Sequence, residues 1–373
     1  MTTNVSSARL RGTLSVTPSP KIPLGEFIGR FNLLHRGQLG AMIEGASRVD
    51  FLNILLGSAF QPRTYFNPFY WNERAEMIML SLPEEIRDRV LCLPLEDYAY
   101  NNTAWLLGAA EQSAVARRHF GLPDDAKTGL VGHRKDGTSF YLDMFPQWEE
   151  IAVANTTKLS STTMREKFFL TDEPLDPAQV PEPVIDWLTK FREEKPEDFQ
   201  RIRDEYLHVQ KVKEPYKHLK FPPIFVTVDS CVVQAGHVLL VQRKGMPGRG
   251  LWAMPGGFLN ADERIEDAIY RELEEETKIE VAEAVLRGRT QEIKVFDSVH
   301  RSSRGRTITH AALIALETPP SKPGERTRLP RVKGSDDAKR AKWFPLKGAG
   351  AITREMMFED HFDIIANLTA KLN

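Results

Sequence analysis

Short apolar runs alternate with stretches of helical periodicity along the first half of the chain. The apolar runs fall at residues 26–31, 51–57, 90–94 and 128–132, and the helical patterns at 39–49 and 104–120. Runs of this length predict buried strands, and apolar residues spaced at the helical period predict helices that cover them. Strands that alternate with helices favour a parallel, doubly wound α/β sheet.

The pattern changes near residue 172, where a proline- and acid-rich stretch begins. Two charged segments with helical periodicity follow it, at residues 184–194 and 196–212. Such a shift in composition is typical of a segment that joins two domains. We therefore expect residues 172–222 to form a helical connector.

A second set of elements is predicted after this connector. Apolar runs at residues 225–234 and 237–242 predict a β-hairpin, because Ala235 and Gly236 suit its turn. Residues 256–278 predict a loop followed by a helix, and residues 294–296 and 307–316 predict strands. These elements place a second domain at residues 223–373.

Composition and charge narrow the function classes. The length of 373 residues suits two domains, and an apolar content of 41% is ordinary for a globular protein. A net charge of −1 supplies no basic field for nucleic acid. No apolar run approaches the roughly 20 residues that a membrane span needs. We therefore expect neither a nucleic-acid partner nor a membrane partner.

The first residues and the cysteines bear on location. Residues 1–22 are rich in Ser, Thr and Pro and lack the apolar core of a signal peptide, so they predict a flexible tail. Cys92 and Cys231 each lie in an apolar stretch without a CxxC partner. This predicts two reduced, buried thiols rather than a disulfide or a zinc site, and hence a cytoplasmic protein.

Three glutamates near residue 275 form the clearest chemical pattern. Glu272, Glu275 and Glu276 are spaced at i, i+3 and i+4, so a helix places their carboxylates on one face. Carboxylates this close repel each other unless a cation neutralises them. Hard oxygen ligands suit Mg²⁺, with Mn²⁺ as the alternative, and such a cation can polarise a phosphate and help to ionise water. An ordinary solvated acidic helix is the competing interpretation.

The surrounding residues resemble the Nudix signature. Gly257, Glu263 and Arg271 stand at its spacings before the three glutamates, and the one mismatch is Lys278 in place of a glycine. The resemblance implies an α/β/α Nudix domain in which Glu275 and Glu276 are catalytic, while Arg271 braces a carboxylate and Glu263 is structural or auxiliary. A glycine at the helix end takes a left-handed conformation, which costs lysine about 1 kcal/mol.

The residues that match the Nudix signature, 257–279, are called the Nudix box below. A basic segment follows this box. Arg304 and Arg306 flank Gly305 just before the strand predicted at residues 307–316. The segment predicts either an ordinary hairpin loop or a contact with a substrate phosphate or ribose. Glu292 and Asp297 are candidates for a general base only because they lie near the box in sequence.

A second motif follows the first predicted strand. Gly29, Arg30 and Phe31, then His35 and Gln38, resemble the GRFxPxHxGH loop of nucleotidyltransferases of the nicotinamide mononucleotide (NMN) adenylyltransferase type. Four further segments agree with that family in order along the chain, at residues 57–64, 67–74, 100–105 and 160–165, and residues 132–136 and 145–148 resemble proteins in which such a transferase is joined to a Nudix domain. The likeness implies a Rossmann-like nucleotidyltransferase domain at residues 23–171.

The resemblance also implies roles for individual residues, in a reaction where the NMN phosphate attacks the α-phosphate of ATP. His35 would donate to the ATP phosphates, Arg165 would meet the leaving pyrophosphate, and Trp105 would stack on the nicotinamide ring. Ser161 and Thr162, at a helix start, would cradle the outer phosphates. The other implied substrate contacts are Gly29, Arg30, Phe31, Gln38, Asn102, His133, Lys135 and Asp136.

The chain departs from the transferase motif at two positions. Gln38 replaces the second histidine and Leu33 replaces the proline. Glutamine can form hydrogen bonds but cannot be cationic, and the loss of one contact to a developing charge typically costs on the order of 10²–10³ in rate. An N-terminal domain that only binds nucleotide is therefore an alternative.

Together the two motifs resemble the bifunctional bacterial proteins that join this transferase to a Nudix ADP-ribose pyrophosphatase. The pairing implies an enzyme of NAD metabolism that handles ATP, NMN, NAD and ADP-ribose. A Nudix-like regulator that senses ADP-ribose without cutting it is a further alternative, although no basic helix-turn-helix pattern supports it. The oligomeric state is left open, with a homo-oligomer as one outcome.

Overall fold

The computed structural model describes residues 21–132, 143–153, 159–318, 328–335 and 337–372. Five parallel strands form the first sheet: β1 Ile22–Gly29, β2 Val49–Ala59, β3 Val90–Glu96, β4 Thr128–Gly132 and β5 Glu149–Ala152. Their order is β3-β2-β1-β4-β5, with every neighbouring pair parallel. The predicted parallel α/β sheet is confirmed.

Helices cover this sheet. They are α1 Arg36–Arg48, α2 Trp71–Ser81, α3 Glu84–Arg87, α4 Asn102–His119 and α5 Ser161–Leu170. The sequence did not predict α2 or β5. Helix α2 buries Glu73 and Arg74 together with Met77 and Ile78, so its inward face does not read as apolar. Strand β5 buries only Ile151.

The segment predicted as a connector is helical but belongs to the packing of the first domain. Its helices are α6 Glu182–Glu194 and α7 Pro196–Lys213. Val184, Leu188, Phe191, Phe199, Ile202 and Tyr206 of these helices are buried in the same core as the sheet. The many charged residues on their outer faces obscured this apolar stripe. We infer that the first domain extends to about residue 213 and that the connector is the short stretch after it.

The second sheet has seven strands. They are β6 Phe225–Gln234, β7 His237–Arg243, β8 Trp252–Ala253, β9 Gly256–Phe258, β10 Thr290–Phe296, β11 Thr307–Ala315 and β12 Ala338–Pro345. The main path is β10-β11-β6-β7-β12, with β8 paired to β7 and β9 paired to β6. The predicted hairpin is confirmed, and Ala235 and Gly236 at its turn both have positive φ, 48° and 71°.

Helices lie on both faces of the second sheet. They are α8 Ile265–Thr277, α9 Glu283–Gly288 and α10 His361–Thr369. One core joins α8 to the sheet through Ala268, Ile269 and Leu273. Another joins α10 through Ile364 and Leu368. This is the α/β/α arrangement expected. Among the helices described here, none is long and apolar enough to cross a membrane.

Helix α8 ends at the position where the Nudix signature has its glycine. Lys278 is its C-cap, with φ 43° and ψ 44°, which is the left-handed conformation. The ion pair between Lys278 and Glu274 is long, at 3.8 Å, and both side chains are largely exposed. A surface pair of this kind contributes little to stability.

Replacing Lys278 with glycine should therefore stabilise the protein by about 1 kcal/mol, because glycine adopts this conformation without steric strain. Equilibrium urea unfolding, with ADP-ribose hydrolysis measured beside it, checks this result. A matched change at Lys213, the last residue of α7, should destabilise instead, since its helical conformation gives glycine no advantage. Equal changes in stability at the two positions would contradict the left-handed conformation of Lys278.

Candidate active sites

The first candidate site lies where strand order reverses in the parallel sheet. Strand β1 has β2 on one side and β4 on the other, and ligands of such sheets bind in the crevice at this switch point. The loop after β1 is strained, because Phe31 and Leu33 have positive φ, 46° and 79°. A side chain at Gly29 would lie 2.5 Å from the Phe31 ring. Gly29 and Phe31 therefore shape the loop.

His35 and Gln38 form the N-terminal cap of α1. The His35 Nδ1 accepts a hydrogen bond from the Gln38 N–H at 3.2 Å, and the Gln38 Oε1 accepts one from the His35 N–H at 3.3 Å. Because Nδ1 is an acceptor, the neutral ring carries its proton on Nε2, which can donate to an anionic ligand. Gln38, at the position of the family's second histidine, has a structural role in this capping box.

The start of α5 meets the same loop. The Ser161 hydroxyl donates to the Leu33 carbonyl at 2.8 Å. Arg165 is buried and donates to the Asn32 carbonyl, to the Thr162 hydroxyl at 3.2 Å and to the Tyr206 hydroxyl at 3.2 Å. The fold thus brings together all four residues predicted to contact phosphate, namely His35, Ser161, Thr162 and Arg165. The described contacts of Arg165 are with protein groups, so it also holds the loop in place.

The predicted base and sugar contacts are more dispersed. Trp105 is half-buried, and its ring centroid lies 5.6 Å from that of Phe145, which stacks on Trp148 at 4.3 Å. Asn102 is the exposed first residue of α4. Arg30 lies over the Phe66 ring, 5.1 Å from its centroid. The predicted contacts His133, Lys135 and Asp136 lie outside the described residues.

Arg74 is a positioning residue to which the sequence assigned no role. Its side chain is fully buried and donates to the carbonyls of Arg30, Gly57 at 2.7 Å and Ser58 at 3.2 Å. It therefore ties the loop after β1 to the end of β2. The signal was present, since residues 67–74 were one of the matched segments, but nothing in the sequence shows what Arg74 contacts.

The second candidate site lies between β9 and α8. A side chain at Gly257 would lie 2.6 Å from the Glu272 carboxylate, and one at Gly256 would lie 2.7 Å from the Asp229 carboxylate. The absence of side chains at these two positions lets β9 pass directly beside the carboxylates. Position 257, at the start of the Nudix box, therefore requires glycine because the backbone of β9 lies so close to the Glu272 carboxylate.

Arg271 braces three of the glutamates around it. It donates to Glu263 at 2.6 and 2.8 Å, to Glu272 at 2.8 Å and to Glu275 at 2.9 Å. Glu263 also accepts from the Asn260 N–H at 2.8 Å. These bonds, above all those to Arg271, hold the pKa of Glu263 down at about 2. Glu263 is therefore tied to Arg271 and to the turn before α8.

Glu276 is the most enclosed of the three carboxylates assigned to metal binding. It is 9% exposed and accepts from the Gly256 N–H at 3.0 Å. Burial raises its pKa to about 8, and burial also raises the pKa of Glu272. Burial also raises the pKa of the nearby Asp229 carboxyl, to about 7. Burying several carboxylates in one place favours a cation there.

The chemistry of these glutamate carboxylates suits a divalent metal. The described residues contain no cluster of three or more His, Cys, Asp or Glu already gathered around a metal position, because the Arg271 guanidinium holds Glu272 and Glu275. Their oxygens are nevertheless hard ligands on one helix face, beside the open backbone of Gly256 and Gly257. Glu272, Glu275 and Glu276 are thus the residues whose chemistry suits the ion.

The structure separates the two arginines of the basic segment. Arg304 lies near the box, over the rings of Phe258 at 5.1 Å and Phe358 at 5.8 Å, and pairs with Glu359 at 3.8 Å. Arg306 instead donates to backbone carbonyls of residues 297 and 298 and pairs with Asp297 at 3.5 Å. Arg304 therefore lies beside the Nudix box, whereas Arg306 braces its own loop as an ordinary hairpin residue would.

Two further residues bear on this site. Arg243, which the sequence did not single out, lies 4.0 Å from the Phe358 ring centroid and close enough to Glu276 to lower its pKa. Glu292, one candidate base, pairs with Lys371 at 3.0 Å on the far edge of the sheet. The positive groups at the box are therefore Arg243, Arg271 and Arg304.

Replacing Gly257 with alanine should lower ADP-ribose hydrolysis by about 10²-fold, because the added methyl group displaces the Glu272 carboxylate and small displacements in a catalytic site cost this much. Steady-state kinetics, with circular dichroism to show folding, measures the loss. Gly288→Ala in the same domain is the matched control, because a methyl group there meets nothing within 4 Å. Equal activity in the two variants would contradict the close approach.

Known proteins resemble the chain over one or both domains. The NUDIX domain family model matches residues 224–368. The chain is 31% identical over 138 residues to an ADP-ribose pyrophosphatase of Methanocaldococcus jannaschii, covering 36% of this chain and 72% of that protein. It is 29% identical over 181 residues to a nicotinamide/nicotinic acid mononucleotide adenylyltransferase of Acinetobacter baylyi, covering 48% of this chain and 91% of that protein.

A solved structure matches both domains together. It is a bifunctional NMN adenylyltransferase/ADP ribose pyrophosphatase from Francisella tularensis, complexed with AMP and a manganese ion. The identity is 33% and the TM-score 0.83, with 94% of this chain and all of that chain covered. The likeness thus extends over both candidate sites and the arrangement of the domains. The chain belongs to the family of bifunctional NMN adenylyltransferase/ADP-ribose pyrophosphatases.

Proposed function

We propose that the chain is a bifunctional enzyme of NAD metabolism. Its N-terminal domain joins NMN and ATP to form NAD and pyrophosphate, and its C-terminal domain hydrolyses ADP-ribose to AMP and ribose 5-phosphate. The observation that carries this proposal is the match of the whole chain, both domains included, to a bifunctional enzyme at 33% identity. The substrates are nucleotides and the metal is Mg²⁺ or Mn²⁺. A cytoplasmic location stays a prediction.

The transferase reaction needs positioning and charge stabilisation rather than a covalent intermediate. A phosphate oxygen of NMN attacks the α-phosphorus of ATP, and the bond to the leaving pyrophosphate breaks. The His35 Nε2–H and the N-terminus of α5 at Ser161 and Thr162 lie together at the loop after β1, where they can donate to the growing negative charge. Arg165 adds positive charge and holds the loop.

The hydrolase reaction adds water across the diphosphate of ADP-ribose. A bound Mg²⁺ would polarise a phosphate oxygen and lower the pKa of a water molecule. Glu272, Glu275 and Glu276 would hold the ion; Arg271 positions the carboxylates of Glu272 and Glu275, and the Gly256 N–H positions that of Glu276. Arg304 and Arg243, stacked on Phe358, supply positive charge for the substrate phosphates.

One preparation of the full chain tests the proposal in two assays. NAD formation from NMN, ATP and Mg²⁺ is measured first, and release of AMP from ADP-ribose is measured second. Turnover in both assays supports a bifunctional enzyme. Turnover in neither assay, by protein that is folded, would contradict the proposal for both domains.

A second candidate function is a Nudix hydrolase whose N-terminal domain only binds nucleotide. The capping box favours it, because the Gln38 side chain, in place of a charged imidazole, is bonded to the His35 backbone. The resemblance of the first domain to transferases does not by itself carry activity. The identity of residue 38 is therefore the point at which the two candidates differ.

Replacing Gln38 with histidine should raise the kcat of NAD formation by about ten-fold, because an imidazolium adds positive charge at the transferring phosphate. The same change removes the acceptor of the capping box and should cost roughly 0.5–1 kcal/mol of stability. Steady-state NAD formation and thermal unfolding measure the two effects. Gln38→Ala is the control, because it loses the capping box without gaining positive charge. Equal kcat values for the histidine and alanine variants would contradict a role for positive charge at position 38.

A further inference from the structure

A buried carboxylate of the first domain bonds the backbone of both domains. Glu205 lies on α7 and is 4% exposed. One of its oxygens accepts from the Tyr65 N–H at 2.6 Å, and the other accepts from the Gly248 N–H at 2.6 Å. Tyr65 belongs to the first domain and Gly248 to the second. The carboxylate is therefore a bridge across the domain interface.

These two bonds are the main compensation for burying the charge. Among the residues that the structure describes, no Lys, Arg or His forms an ion pair with Glu205. A buried carboxylate without such a partner depends on its N–H donors, and hydrogen bonds to an ionised group are about twice as strong as neutral ones. Gly248 is thus held firmly against the first domain.

Gly248 lies against the ring of Phe358. It has φ +75°, and a side chain there would overlap the Phe358 ring. The guanidinium groups of Arg243 and Arg304 lie over the Phe358 ring, 4.0 Å and 5.8 Å from its centroid. The residue after Phe358 is Glu359, which pairs with Arg304 and accepts from the Ser303 N–H at 3.1 Å. Contacts therefore run from Glu205 through Gly248 and Phe358 to both arginines.

We propose that Glu205 is a positioning residue for ADP-ribose hydrolysis, acting from the transferase domain through Gly248 and Phe358 on the substrate-facing Arg243 and Arg304. This inference rests on the proposed hydrolase function. The three glutamates proposed to hold the metal lie on α8 and accept no hydrogen bond from the described residues of this series, although Arg243 lies near Glu276. Loss of Glu205 should therefore weaken substrate binding and leave the metal chemistry largely intact.

The test compares Glu205→Gln and Glu205→Ala with wild-type full-length protein in the two assays. Glutamine keeps the size of the side chain but accepts only one of the two bonds, so it serves even if the alanine variant does not fold. Asp204→Asn is the matched control, because Asp204 is the neighbouring residue on α7 and bonds Gln200 instead. Thermal unfolding of each variant is recorded beside kcat and KM.

The expected result is a KM for ADP-ribose raised about ten-fold in Glu205→Ala and less in Glu205→Gln, with kcat within about three-fold of wild type, since small displacements of binding groups cost this much. NAD formation and the Asp204→Asn variant should stay at wild-type values. An unchanged KM in both Glu205 variants, or equal losses in both activities, would overturn the inference. Wild-type protein that fails to hydrolyse ADP-ribose would instead overturn the proposed function.

Discussion

Replacing Glu275 and Glu276 together with glutamine should lower the kcat of ADP-ribose hydrolysis by about 10³-fold, because a metal ion supplies several kcal/mol of charge stabilisation at such a site. Glutamine keeps the size of both side chains and can still accept the bond from the Gly256 N–H that Glu276 accepts now. The fold should therefore be retained. AMP release under saturating ADP-ribose and Mg²⁺ measures the effect.

Glu274→Gln is the matched control for this double variant. Glu274 lies on the same helix, but its side chain is largely exposed and, among the described residues, pairs only with Lys278, at 3.8 Å. Its loss should leave hydrolysis within about two-fold of wild type, as expected for a surface charge. NAD formation should be unchanged in both proteins. Hydrolysis that survives in the double variant would contradict the assigned metal site.

Replacing His35 should lower the kcat of NAD formation by at least about 10²-fold, because the Nε2–H of the ring is the donor proposed to meet the ATP phosphates. His35 also caps α1, so His35→Ala should cost about 1 kcal/mol of stability as well. His35→Asn separates the two roles, since asparagine is a good N-cap. Both variants should lose NAD formation, and only the alanine variant should lose stability.

Hydrolysis of ADP-ribose serves as the internal control for the His35 variants. The carboxylates of α8 do not contact α1, so this activity should stay within about two-fold of wild type at temperatures where the variants are folded. Normal NAD formation by His35→Asn would mean that the cap, and not the imidazole, is what the reaction requires.

The carboxylate face of α8 could be predicted because it depends only on local spacing. Residues at i, i+3 and i+4 of a helix share a face in any fold. The parallel sheet was also predictable, since its strands and helices alternate along the sequence. These features need no knowledge of which residues meet across the molecule.

The contacts of Arg165 and Glu205 could not be predicted. Arg165 was expected to meet pyrophosphate, and the structure adds its bond to Tyr206, 41 residues away on a helix assigned to the connector. Glu205 bonds Gly248 in the other domain. Such partners are set by tertiary packing, which a single sequence does not show. Helix α2 was missed for a related reason, because Arg74 is buried for its bonds to a distant loop.

NAD formation decides whether one chain performs both reactions although Gln38 replaces the second motif histidine. Purified wild-type protein is incubated with NMN, ATP and Mg²⁺, and NAD and pyrophosphate are followed over time beside the His35→Asn variant. We expect steady turnover by the wild type that the variant lacks. Absence of NAD from the wild type, while the same preparation hydrolyses ADP-ribose, would contradict the account and leave a Nudix enzyme with an inactive transferase domain.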